Sequence, residues 1–245
     1  MNYWADLTPK EKELLASAAS NHFTLVGDDL KDDGRFMLAA IRIDPTSIRY
    51  ASDRLKNETI FMSAAVITDP AFIRYASDRL KKDRDFILRA LENLPPFFLG
   101  QPSAIDLKEI MNSASVELKD DPTFMLNAIS RFSSCLRYAS DRLRNDKTFF
   151  ISVLPTYSGY ALWDVPESLQ KDKEAVLAAV RKDGMNLVAA DDKLKDDEEV
   201  VLAAVGQNVT AMAYASERLK RDQNFQAKVD RIQQLQRHVA SFTDI

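Results

Sequence analysis

Ile48-Arg49-Tyr50-Ala51-Ser52-Asp53-Arg54-Leu55-Lys56 returns as Ile73-Arg74-Tyr75-Ala76-Ser77-Asp78-Arg79-Leu80-Lys81 and again as Leu136-Arg137-Tyr138-Ala139-Ser140-Asp141-Arg142-Leu143-Arg144. A weaker copy is Ala213-Tyr214-Ala215-Ser216-Glu217-Arg218-Leu219-Lys220. Self-similarity at a fixed spacing marks a stacked-repeat architecture, in which each unit hides its apolar face only against its neighbours. Working outward, the repeat can be laid out on its leucine: Leu30, Leu55, Leu80, Leu118, Leu143, Leu169, Leu194 and Leu219. Successive spacings are 25, 25, 38, 25, 26, 25 and 25 residues.

Three residues after each leucine comes an acid: Asp33, Glu58, Asp83, Asp121, Asp146, Asp172, Asp197 and Asp222. A side-chain oxygen there can accept from the free N–H groups of a following helix. Pro122 after Asp121 fits the first helical position. Six residues after the leucine the side chain is apolar, as Phe36, Phe61, Phe86, Phe124, Phe149, Ala175, Val200 and Phe225. Ten residues after it the side chain is small, as Ala40, Ala65, Ala90 and Ala128. That spacing is a helical period and predicts a first helix of roughly ten residues, 34–43 in its first copy. Asp44-Pro45 and Asp69-Pro70 signal a second start, with Asp183-Gly184 and Asn208-Val209 in the same place. The second helix is expected to carry Ile48, Tyr50 and Ala51 and to end near Arg54. Helices this short are marginal alone, so stacking must stabilise them.

The predicted fold is therefore all-α: a right-handed α-solenoid of short helix pairs, about nine units with atypical ends. Residues 1–29 are expected to form an N-terminal capping unit, in which Thr8-Pro9-Lys10-Glu11 opens a helix. Residues 30–218 form the array, with an expanded third unit at 80–117. Residues 219–245 form a C-terminal capping helix whose apolar face runs through Phe225, Val229, Ile232, Leu235 and Val239.

The bulk composition agrees. Of 245 residues, 46% are hydrophobic and 29% charged, a globular mix. Thirty-three Lys and Arg against 37 Asp and Glu give a net charge of −4, which argues against a general nucleic-acid binder. The single cysteine, Cys135, excludes an internal disulfide and suits a reducing compartment such as the cytoplasm. No apolar run is long enough for a membrane span, and Met1-Asn2-Tyr3-Trp4 opens no recognisable secretory signal.

The recurring Leu-x-x-Asp, then Phe or Val, then Leu-x-Ala-Val, then Tyr-Ala-Ser-Asp/Glu resembles a helical repeat family of unknown function. It is best matched by Leu194-Lys195-Asp196-Asp197-Glu198-Glu199-Val200-Val201-Leu202-Ala203-Ala204-Val205 with Tyr214-Ala215-Ser216-Glu217, and it covers about residues 30–222. The family occurs mainly in effector-like proteins of intracellular bacterial pathogens. The resemblance therefore implies a secreted effector that is translocated into a host cell and binds a host protein. The third unit departs from the pattern by its insertion, and the fifth and sixth lack Tyr-Ala-Ser.

Few residues suggest chemistry. His22 and His238 lie near opposite ends of the chain, so Cys135 lacks an adjacent base and no metal-ligand cluster is expected. Paired acids such as Asp32-Asp33, Asp120-Asp121 and Asp196-Asp197 recur with the repeat, which reads as capping rather than acid catalysis. No cofactor motif occurs. The preferred reading is a non-catalytic protein-binding module. The alternative is a hydrolase or transferase whose site is assembled in a cleft across repeats, recognisable by unpaired polar groups that capping does not explain. The candidate partner-binding residues are the periodic Arg49, Arg74 and Arg137, which would accept an acidic segment, unless Asp53, Asp78 and Asp141 neutralise them. Phe97 and Phe98 of the third-unit insertion join them, as do Tyr160 and Trp163 of the aromatic fifth unit, unless these tuck into the core.

Overall fold

The computed structural model describes residues 7–18, 23–94 and 104–243. Among these, no strand is formed and every regular element is helical. The longer helices are α1 Pro9–Ala18, α2 Gly34–Ile43, α3 Thr59–Thr68, α4 Arg84–Glu92, α5 Ala104–Ser113, α6 Pro122–Arg131, α7 Lys147–Val153, α8 Lys173–Lys182, α9 Glu198–Gln207 and α10 Gln223–Thr243.

Each repeat starts where its acid says it should. Asp33 accepts from the backbone N–H of Arg35 and Phe36. Asp121 and Asp197 do the same for α6 and α9, and Asp83, Asp146 and Asp172 each accept from one such N–H at the start of α4, α7 and α8. Glu58 is the exception: it heads α3 without a side-chain cap and pairs with Arg54 at 3.1 Å instead. At α1, Thr8 and Glu11 bond reciprocally, a capping box.

The expected second helix is in fact two elements. Residues Pro45–Tyr50 form a 3-10 helix, opened by Asp44, whose side chain accepts from the N–H of Thr46. The chain then turns extended at Ala51 and Ser52, and a four-residue helix, Asp53–Lys56, begins. The reason is chemical. The Ser52 hydroxyl accepts from the N–H of Leu55, so serine acts as a cap rather than continuing a helix. The same break recurs at Ser77, Ser140 and Ser216.

The Phe stripe faces inward. Phe36, Phe61, Phe86, Phe124, Phe149 and Phe225 are all buried, as are the small residues four positions on. Each buried phenylalanine contributes about 1.5–3 kcal/mol by leaving water. Small size permits close approach, and the limit is reached at Gly184. A Cβ there would stand 2.3 Å from the carbonyl oxygen of Ala204.

The chain divides into two compact halves, Met1–Lys119 and Asp120–Ile245. In the first, α1 packs on α2, α2 on α3, α3 on α4 and α4 on α5, while the 3-10 helices at 45–50 and 70–75 pack on each other. The expanded third repeat supplies α5 against the 3-10 helix at 70–75. In the second half α6, α7, α8, α9 and α10 pack in succession, as do the 3-10 helices at 133–138, 161–164, 184–189 and 209–214. Of the closing helix, Phe225 and Val229 are buried but Leu235, expected on the same packed face, is exposed.

Candidate interaction surfaces

Most periodic polar groups are tied up between neighbouring repeats. Arg54 donates its Nε to both carboxylate oxygens of Asp32 at 2.9 Å and its Nη2 to the Asp32 carbonyl at 2.6 Å. The Ser52 hydroxyl donates to the same carboxylate. Ser140 and Arg142 clasp Asp120 in this way, and Ser216 and Arg218 clasp Asp196. Ser77 and Arg79 clasp Asn57, so an amide oxygen serves as acceptor too. Across the expanded repeat the charges are exchanged, with Lys82 facing Glu117 at 3.6 Å. The serine backbone joins in, Ser52 N–H donating to the Lys31 carbonyl at 3.0 Å and Ser77 N–H to that of Lys56 at 2.9 Å.

The clasp accounts for the paired acids. In Asp32-Asp33, Asp120-Asp121 and Asp196-Asp197 the second acid caps a helix and the first receives the next repeat. The serine hydroxyl, then the arginine, holds the carboxyls of Asp32, Asp120 and Asp196 below their ordinary values. Sequence reading missed the arginine's role. The signal was present as an Asp or Asn 22 residues before each arginine of the Ser-Asp/Glu-Arg-Leu motif.

The predicted arginines separate into two kinds. Arg49 and Arg74 are exposed. Each donates its Nε to a carbonyl three residues back, Thr46 and Ala71, at 2.9 Å. Each guanidinium also lies over the following tyrosine ring, 5.6 Å from the Tyr50 centroid and 5.7 Å from that of Tyr75. Among the described residues neither forms an ion pair with Asp53 or Asp78, the acids expected to neutralise them. These two side chains are thus oriented by carbonyl and ring, with guanidinium edges left for a carboxylate or phosphate. Arg137 differs: it pairs with Asp164 at 3.0 Å, and Asp141 pairs with Arg144 at 2.6 Å.

Asp164 also accepts from the Tyr157 hydroxyl. Burial, together with that bond, raises the Tyr157 phenol well above its ordinary value. Tyr157 is core, whereas Tyr160 and Trp163 are 43% and 61% exposed. The aromatic fifth repeat therefore splits into one anchor and two surface rings. Phe97 and Phe98 lie outside the described residues.

An open cleft of about 440 Å³ lies in the first half. Its polar walls are Asp32, Asp33, Arg35, Arg54 and Glu58. All five are engaged: Arg54 with Asp32 and Glu58, and Arg35 with Asp33 at 3.3 Å. Cys135 is fully buried, and burial pushes its thiol up to about 12. Among the described residues no group of three His, Cys, Asp or Glu side chains could hold a metal ion, and no helix is long and apolar enough to cross a membrane.

Fold and surface together define an all-helical repeat protein whose recurring motif residues hold repeat to repeat. The chain belongs to the family described as a domain of unknown function (DUF4116), whose model matches five times, at residues 33–70, 60–99, 108–144, 121–154 and 172–220. No curated protein and no solved structure matches the chain.

Proposed function

We propose that this chain is a non-catalytic protein–protein interaction module, its repeats winding as a right-handed α-solenoid. It binds a host protein through an acidic segment, as a bacterial effector acting inside a host cell. The observation that carries the binding role is the state of the polar groups. Those lining the cleft of the first half are paired with one another, while Arg49 and Arg74 are exposed, braced and without a carboxylate partner among the described residues. Paired cleft groups support binding over a site assembled across repeats. The exposed rings of Tyr160 and Trp163 supply a second surface of the kind rich in binding energy. Effector status rests on the resemblance of the repeat motif to proteins of intracellular pathogens.

Affinity capture from host cytosol, quantified by mass spectrometry, tests the binding role. A protein with an acidic segment should be enriched on the wild type and lost on Arg49→Ala/Arg74→Ala. Identical capture by both proteins contradicts it. A reporter fused to the chain and delivered from a bacterial host tests translocation separately.

A further inference from the structure

Arg49 and Arg74 are braced in the same way, and the bracing sets the distance between them. Each Nε donates to the carbonyl three residues back at 2.9 Å. Each guanidinium sits over the next tyrosine ring, at 5.6 Å for Tyr50 and 5.7 Å for Tyr75. Two long side chains held alike carry the separation of their backbones out to their charged ends. The 3-10 helices that bear them, at 45–50 and 70–75, pack directly on each other. Packed helices lie about 8–10 Å apart, so the two guanidinium groups stand about one such step apart. That is too far for a single carboxylate to span. In the same register, six residues before the repeat leucine, the first half has Thr24 ahead of Arg49 and Asn112 after Arg74, both exposed. The 3-10 helix at 23–25 packs on that at 45–50, and α5, which carries Asn112, packs on that at 70–75. Among the described residues of this half the row thus holds one pair of cations between two uncharged polar groups. In the second half the position is held by Arg137, Trp163, Val188 and Ala213, and Arg137 is engaged by Asp164.

A ligand that fills both sites must present two anions about 8–10 Å apart on one side of its chain. A β-strand does not, because its same-side residues lie two or four apart, at about 7 or 13 Å. A polyproline II helix does. It repeats every three residues and rises about 3.1 Å per residue, so positions i and i+3 share a side at about 9.3 Å. An α-helix reaches about 10.5 Å between i and i+7. A free peptide of that length is only marginally helical, whereas polyproline II is well populated before binding. Tyr50 and Tyr75, half-buried beside the two arginines, add aromatic surface of the kind on which the prolines of such a chain pack.

Resting on the binding role given above to Arg49 and Arg74, we propose that their ligand is an acidic peptide in the polyproline II conformation, with the spacing Glu-Pro-Pro-Glu. One carboxylate meets each guanidinium, and the braced arginines select the spacing as well as the charge.

An NMR titration of the isotope-labelled full chain at low salt tests the proposal, with the Nε–H signals of Arg49 and Arg74 as the readout. Three peptides of equal length and charge carry two glutamates in a proline frame, set two, three or four residues apart. The three-residue spacing should bind about tenfold tighter than either of the others and move both signals together. Arg49→Lys/Arg74→Lys keeps the charge but loses the brace and the fork, so it should bind all three peptides alike. Equal affinity of the wild type for the three spacings overturns the proposed ligand and leaves the arginines as binding residues. A lysine variant that keeps the preference, or tighter binding by a helical peptide with glutamates seven apart, overturns it as well. If no peptide moves either signal, the binding role of the arginines fails, and the ligand with it.

Discussion

Arg54 reaches back 22 residues to Asp32 and closes on both of its carboxylate oxygens at 2.9 Å. With the Ser52 hydroxyl on the same carboxylate, this links one repeat to the one before it. Asp120 and Asp196 receive the same pair of donors. The motif that makes the sequence repetitive is thus a joint between repeats.

The joint makes stability depend on acid. Asp32, Asp120 and Asp196 are held below the ordinary carboxylate value, first by the serine hydroxyl and then by arginine. A lowered value in the folded state means that the unfolded chain takes the proton more readily. The clasp contribution is complete above about pH 3.9 and is lost as the pH falls through the folded value. Replacing all three by Asn keeps an acceptor, as Asn57 does for Ser77 and Arg79. The melting temperature of that variant should fall less than that of the wild type between neutral pH and pH values below about 4. Equal acid sensitivity in both would refute the assignment.

Phe61 tests the core. It is 3% exposed within the N-terminal half. Phe61→Ala should cost about 3–5 kcal/mol, read from urea midpoints. A soluble variant with wild-type stability would mean that the Phe stripe does not pack between helices.

Gly184 tests how tightly successive elements meet. A Cβ would lie 2.3 Å from the Ala204 carbonyl oxygen, which belongs to backbone and cannot step aside. Gly184→Ala should cost about 1–3 kcal/mol by overpacking. Unchanged thermal unfolding would contradict the close approach.

Cys135 should be inert. Its thiol is fully buried and raised to about 12, so little thiolate exists at neutral pH. Ellman's reagent should label it only as the chain unfolds. Rapid stoichiometric labelling of the native protein would contradict this placement.

Much of the fold was legible because its signals are local. Asp33 and Asp121 announce their helices within three residues, and Phe36 with Ala40 defines a helical period. The 3-10 helix at 45–50 was not legible, since six residues are too few to separate a period of 3.0 from 3.6. The break at Ala51 was missed because Ser52 can lie within a helix or cap one, and the choice is made by the bond to Leu55. The clasp escaped because its acceptor sits a whole repeat away and varies among Asp32, Asn57 and Asp120. For the candidate surface, Arg49 and Arg74 were legible as a repeated exposed position. The loss of Arg137 to Asp164 was not, because the repeat that supplies Asp164 lacks the motif.

The measurement that bears most directly on the binding role is fluorescence anisotropy with a labelled poly-glutamate peptide. Arg49 and Arg74 are oriented by their carbonyls and tyrosines before any partner arrives. The wild type should bind the peptide with an affinity that falls as salt rises, and Arg49→Ala/Arg74→Ala should lose about tenfold or more while melting normally. A wild type that ignores the peptide at low salt, or a double variant that binds it equally well, would contradict the account.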